Sequence, residues 1–293
     1  RSLNRDFVST EMFLNAHAEE RWDSYIFGSS RSLAYLTETW QQYLPPESKA
    51  YHFDAAGESL YGVHGKVQLI ARLRAPLRHA LCVVDASLLA NVTERAMQMQ
   101  IKHPSISGQS RLDFQAHFLR AYFYDFFAVK FLHYRLSGTL RPYMTDVLDP
   151  RLLTYTWPGN DTLFASAEHE IARDGAAAYA ERRAKMFKRN APVAGALVID
   201  SLQREMLASL ASVFRDKGTS VRVVVSPLYD QRRIHEQDLA TLREYFGASE
   251  VVDYSGVNSF TSDRLNYYDE SHYKVAVASE ILASVYRGTV GRN

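Results

Sequence analysis

Two short clusters, one near each end of the chain, hold the residue types that nucleophilic catalysis needs. Gly28-Ser29-Ser30-Arg31 follows the apolar run Tyr25-Ile26-Phe27, and Asp269 stands three residues before His272. A serine hydroxyl is a poor nucleophile until a base takes its proton, and imidazole is the usual base. The imidazole in turn needs a carboxylate that fixes its tautomer and stabilises its charged form. An Asp-x-x-His turn supplies both from one loop. A strand that ends in a tight turn and opens a helix also leaves backbone N–H groups unpaired, and these suit a developing oxyanion. Each cluster alone has a plain structural reading. A serine before a helix is usually an N-cap, and an aspartate beside a surface histidine is a common turn. Their joint presence is the more specific signal.

These clusters must be positioned by the elements around them. Short apolar, β-branched runs alternate with helical stretches: "SYIF" before "SRSLAYLTETWQQYL", "AYHFDAA" before "SLYGVHGKVQLIARLR", and "ALCVVD" before "ASLLANVTERAMQMQ". Later "VRVVVSP" precedes "HEQDLATLREYFG", and "EVVDYS" precedes the closing "SHYKVAVASEILASVY". Such alternation predicts an α/β fold: a three-layer, doubly wound, mostly parallel sheet of about five strands. Between about residues 96 and 195 the alternation fails, which predicts a helical insertion within one domain spanning residues 1–293. Its aromatic stretch "FLRAYFYDFFAVKFLHYRL" carries Phe123, Phe126, Phe127, Phe131 and Tyr134 on one helical face, flanked by Tyr122 and Tyr124. This spacing predicts a helix docked on the sheet; the competing reading is a surface that meets a membrane or a partner. A second helix is expected in "EHEIARDGAAAYAERRAKMFKRN", and the helix of "SLQREMLASLASVFRDKG" should close at Gly218.

Composition narrows the function classes. The 293 residues are 46% hydrophobic and 23% charged, with a formal net charge of +1, so no electrostatic footprint for nucleic acid is present. The single cysteine, Cys82, lies in an apolar run and reads as core packing. Histidines such as His52, His64, His133 and His169 lack metal-ligand spacing, and no Walker-type or dinucleotide glycine motif occurs, so neither metal nor cofactor is expected. No apolar run reaches the roughly 18 residues needed to cross a bilayer. The chain opens on Arg1 rather than methionine, and the expectation is an upstream signal peptide or membrane anchor.

Gly-x-Ser after the first strand, with Asp-x-x-His before the last helix, resembles the SGNH (GDSL-like) hydrolase superfamily. The resemblance covers roughly residues 20–95 and 196–290. It implies Ser30 as nucleophile, His272 as general base and Asp269 as its orienting carboxylate. Ser29 stands where the family often has aspartate, a departure shared by a Gly-Ser-Ser branch of envelope acyl-transfer proteins, such as the D-alanyl transfer and alginate acetylation proteins. The family's oxyanion-hole glycine matches Gly57. Its third block, Gly-x-Asn-Asp, has no clean match: Gly159-Asn160-Asp161 is one residue too short and lies in the insertion, while the third strand ends in Val84-Asp85-Ala86-Ser87. Asn160, Asp85 and Ser87 are therefore alternative contributors. Arg31 could hold an anionic substrate group or pair with Asp85. Ser226-Pro227, at the end of "VRVVV", could line the cleft.

The resemblance implies a serine esterase or O-acyltransferase, acting on O-acetyl or similar small acyl groups of an extracytoplasmic polysaccharide. Its implied partners are that polysaccharide or an acyl ester and a membrane acyl-donor protein, and its implied location is the periplasm or cell envelope. The alternative is a catalytically decayed carbohydrate-binding or scaffolding module of the same fold. An unrelated flavodoxin-like protein would leave Ser30 and the Asp-His turn far apart.

Overall fold

The computed structural model describes residues 4–94, 100–121, 123, 127–144, 148, 154–175, 177–178, 189 and 191–287. Its strands are β1 (Ser24–Gly28), β2 (Ala50–His52), β3 (His79–Val84), β4 (Thr154–Tyr155), β5 (Thr162–Leu163), β6 (Ser220–Val225) and β7 (Val251–Asp253). Five of them form one parallel sheet in the order β2-β1-β3-β6-β7, and β4 and β5 pair antiparallel in the insertion. After β1 the chain winds outward to β2, then returns past β1 to β3. The winding therefore reverses between β1 and β3, where doubly wound sheets open a crevice at their carboxyl edge.

Both faces of the sheet are buried, which is why its strands read as continuous apolar runs rather than alternating ones. Tyr25, Phe27, Cys82, Val84, Val223 and Val225 face one core, with Phe13, Val67, Ile70, Leu207, Leu210 and Leu242 from covering helices. Ile26, Leu81, Val83 and Val224 point the other way, toward Trp40, Val277, Ile281 and Leu282. Strand-long alternation between two cores is the three-layer α/β architecture expected from the sequence. Burial pushes the Cys82 thiol up to about 12, so it stays protonated.

Three local expectations need correction. The stretch after β1 is not one long helix: a 3₁₀ turn spans Ser30–Ala34, and a short helix follows at Thr37–Gln41. The aromatic stretch is broken into helices Arg111–Ala121 and Phe127–Ser137, and the latter has no buried residue. Phe123, Phe131 and Tyr134 are exposed rather than docked on the sheet, whose two faces are already covered by other helices. Tyr122, Tyr124 and Phe126 lie outside the described residues. The second insertion helix starts earlier than expected, at Ala165, and ends at Asp174, with Gly175 at φ 53; residues 176, 179–188 and 190 of the expected stretch lie outside the described residues. The helix Ser201–Asp216 ends as expected, with Gly218 at φ 64.

An N-terminal helix, Arg5–Glu20, joins the fold through Phe13, which reaches the core, and through a buried charged face. Its buried residues include Arg5, Asp6, Ser9 and Thr10. Lys66 Nζ lies 2.6 Å from Glu58 and 3.2 Å from Asp6, Lys102 Nζ contacts Glu58 and lies 3.1 Å from Asp6, and Arg5 lies 2.6 Å from Asp54. Three cations thus face three carboxylates with almost no access to water. Burial opposes the charge on Asp6, but Lys102 and Lys66 outweigh it and hold its carboxyl down to about 2. A depressed native pKa contributes stability above the unfolded value of 3.8, and that contribution is lost as pH falls toward 2. Asp6→Asn should therefore be less stable than wild type at neutral pH, and the gap should narrow by about 2 kcal/mol between pH 5 and pH 2. Urea unfolding across that range measures the gap; a gap independent of pH would contradict the assignment.

Candidate active site

Gly28 ends β1 because nothing larger fits. A Cβ there would come 2.7 Å from Ser32 Cβ and 2.9 Å from the Val83 carbonyl. The chain then turns at once, with Ser29 Oγ accepting from Arg31 N at 3.4 Å and Ser29 O accepting from Ser32 N at 2.8 Å. This tight 3₁₀ turn lifts Ser30 to the crevice, where its side chain is half-buried. Among the described residues no acceptor takes the Ser30 N–H, so that donor is left uncommitted at the turn.

The base arrives on a small hairpin-like loop. Tyr267 and Tyr273 bridge antiparallel, Tyr268 N donates to His272 O at 2.8 Å, and Lys274 N donates to Asn266 O at 2.8 Å. Tyr267 Oη fastens this loop to the end of β6 by donating to Pro227 O at 2.9 Å. At its tip Asp269 Oδ1 accepts from Ser271 N at 2.7 Å and His272 N at 2.9 Å, an Asx-type turn. That is the local reason for three-residue spacing: the carboxylate organises the turn and still faces the ring.

The three side chains meet. His272 Nδ1 lies 2.9 Å from both Asp269 oxygens, and His272 Nε2 lies 2.9 Å from Ser30 Oγ. A carboxylate only accepts, so Nδ1 carries the proton and Nε2 accepts from the Ser30 hydroxyl. Burial works against the Asp269 charge, but the hydrogen bond and charge of His272 hold its carboxyl below the usual carboxylate range. It therefore remains ionised at neutral pH, as an orienting group for imidazolium must. The arrangement can deprotonate Ser30 as it attacks and return the proton to a leaving group.

The other predicted residues take different places. Gly57 has φ 62, a left-handed conformation that favours glycine, in the loop that follows β2 along the end of β1. Phe53 N donates to Ile26 O at 2.9 Å, and Ala55 N donates to Gly28 O at 3.4 Å, which brings that loop beside the nucleophile turn. Arg31 pairs with Asp85 at 2.8 Å across the crevice. Asp85 Oδ1 also caps the helix Ala86–Ala90 through Ser87 N and Leu88 N, leaving the Ser87 side chain exposed. Ser226 Oγ lies 3.4 Å from Tyr273 Oη, whose pKa burial pushes up to about 12.

Asn160 does not join the triad. It is fully buried; its Nδ2 donates to His52 O at 2.6 Å and its Oδ1 accepts from Arg5 at 3.1 Å. Its amide is engaged in fastening the insertion to β2 and the N-terminal helix. Among the described residues no third-block side chain bonds to Ser30, so its own N–H and the Gly57 loop are the candidate oxyanion donors.

The insertion's contribution to the base is not legible along the chain. The Phe164 ring lies 5.4 Å from the His272 ring and 5.1 Å from the Tyr268 ring, and Glu168 accepts from Tyr268 Oη. Only three dimensions could reveal this, because Phe164 and His272 sit on unrelated segments. Among the described residues no group of three histidine, cysteine or acidic side chains could hold a metal, and no helix is long and apolar enough to cross a membrane. No protein-family model and no curated protein matches the chain.

Proposed function

We propose that this protein is a serine-dependent O-acyl esterase or acyltransferase of the SGNH type, working on acylated, most simply O-acetylated, polysaccharide outside the cytoplasm. The observation that carries the reading is the continuous hydrogen-bonded line from Ser30 Oγ through His272 to Asp269. Ser30 attacks the ester carbonyl while His272 takes its proton, and the oxyanion forms beside the Ser30 N–H. Collapse expels the alcohol, which receives the proton from His272, and leaves an acyl group on Ser30. Water or a sugar hydroxyl, deprotonated by His272, then takes the acyl group and regenerates the serine. A membrane protein that delivers acyl groups fits as donor, and the insertion's exposed aromatic face fits as the side that meets acceptor or donor.

The test is turnover of p-nitrophenyl acetate and of an acetylated oligosaccharide, with and without an unacetylated oligosaccharide acceptor. Ester cleavage that disappears in His272→Ala is the expected result. An acetylated acceptor marks a transferase, and acetate alone marks an esterase. A wild type inert toward every acyl ester would overturn the proposal and leave a binding module.

A further inference from the structure

A second hydrogen-bonded line of serine, histidine and carboxylate lies beneath the first and shares no residue with it. His52 is fully buried, and its Nδ1 lies 3.2 Å from Asp161 Oδ1. Its Nε2 lies 2.9 Å from Ser32 Oγ, and Ser32 Oγ lies 2.8 Å from the Ser29 carbonyl oxygen. Asp161 is itself held by Thr37, whose N–H donates to both carboxylate oxygens at 3.1 Å and whose Oγ1 donates at 2.7 Å. Ser32 and His52 have no exposed surface, and Asp161 has 4%. This line is too deep to meet substrate, yet it ends one peptide bond from the nucleophile.

Its geometry bears on Ser30 through that peptide bond. The Ser29 carbonyl faces both the Ser32 N–H and the Ser32 hydroxyl, each at 2.8 Å. A peptide unit is planar and trans, so fixing its C=O fixes the N–H on the opposite side. That N–H belongs to Ser30 and has no acceptor among the described residues. We infer that Asp161, His52 and Ser32 are a positioning relay that aims the Ser30 N–H and hydroxyl, so that the insertion, through Asp161, sets the geometry of the nucleophile.

The relay also explains the Gly159-Asn160-Asp161 run. A Cβ at Gly159 would come 2.3 Å from Thr37 Oγ1, so glycine lets the segment close on the helix Thr37–Gln41. The Gly159 carbonyl accepts from His52 N at 2.8 Å, and Asn160 returns a hydrogen bond to the His52 carbonyl. Asp161 is thereby delivered to the His52 ring. His52 in turn sits at the end of β2, in register with Ile26 of β1.

The relay builds on the triad reading, so its test has one arm that needs turnover and one that does not. In the first, Ser32→Ala and Asp161→Asn are assayed on p-nitrophenyl acetate. A displaced nucleophile should lower kcat about tenfold, with KM within about twofold of wild type. Because both variants act through one hydroxyl, the double variant should be no slower than the slower single one. In the second, the Ser30 amide cross-peak is followed in ¹⁵N-labelled protein; it should move in Ser32→Ala while remote amides hold. An unchanged Ser30 cross-peak, or fully additive losses in the double variant, would overturn the relay. If wild type lacks ester turnover, the catalytic proposal fails, and the amide arm alone decides the relay.

Discussion

Replacing Ser30 by alanine should abolish ester turnover, by on the order of 10⁴-fold or more, and leave the fold intact. The side chain is half-buried at the end of a turn whose backbone bonds run through Ser29 and Ser32, so losing one hydroxyl creates no buried unsatisfied group. His272→Ala should match it, because the two act as one unit: without the base the hydroxyl keeps its proton. Asp269→Asn should fall between these variants and wild type, roughly 10²- to 10⁴-fold, since an amide can donate to Nδ1 and favour the wrong tautomer. Initial rates with one activated ester, alongside thermal melts, check all three. Equal turnover in wild type and Ser30→Ala would remove Ser30 from the chemistry.

The second large effect concerns stability. Lys66→Met should destabilise the protein by about 3–5 kcal/mol, because it strands Glu58 and Asp6 with one cation fewer in a site closed to water. Lys66 has no exposed surface, lies 2.6 Å from Glu58, and also donates to the Asp54 carbonyl at 2.8 Å. The double variant Lys66→Met with Glu58→Gln should recover part of the loss, since the excess charge goes with the second substitution. Urea midpoints at neutral pH report both. A loss below about 1 kcal/mol for Lys66→Met would mean that water or rearrangement replaces the cation.

Much of the framework is legible in the chain because it is local. The five strands of the parallel sheet are all apolar runs bounded by turn residues, and each is found where those runs stand. The nucleophile turn and the Asp-His turn are equally local: Gly28 is dictated by Ser32 four residues on, and Asp269 builds the turn that carries His272. What escapes a linear reading is long-range or polar. The helix Arg5–Glu20 buries Arg5, Asp6, Ser9 and Thr10 beside Phe13, so its inward face is mostly polar and hard to tell from a solvated one. Asp161 and His52 lie 109 positions apart, and nothing along the chain says that they touch. The motif around Asn160 draws the eye for the right reason, a polar run that belongs near the site, but its amide holds the scaffold while the neighbouring aspartate reaches the relay. The aromatic helix shows the opposite failure: a one-sided face of rings predicts docking, yet the sheet has no uncovered face to receive it.

The most direct measurement is covalent. A fluorophosphonate reacts fastest with a serine hydroxyl made nucleophilic in place, and peptide mass spectrometry locates the adduct. One phosphonyl group on Ser30, formed in wild type and at least about a hundredfold more slowly in His272→Ala, is the result that convergence of the two chain ends at one crevice predicts. Modification at some other residue, or a labelling rate indifferent to His272, would contradict it.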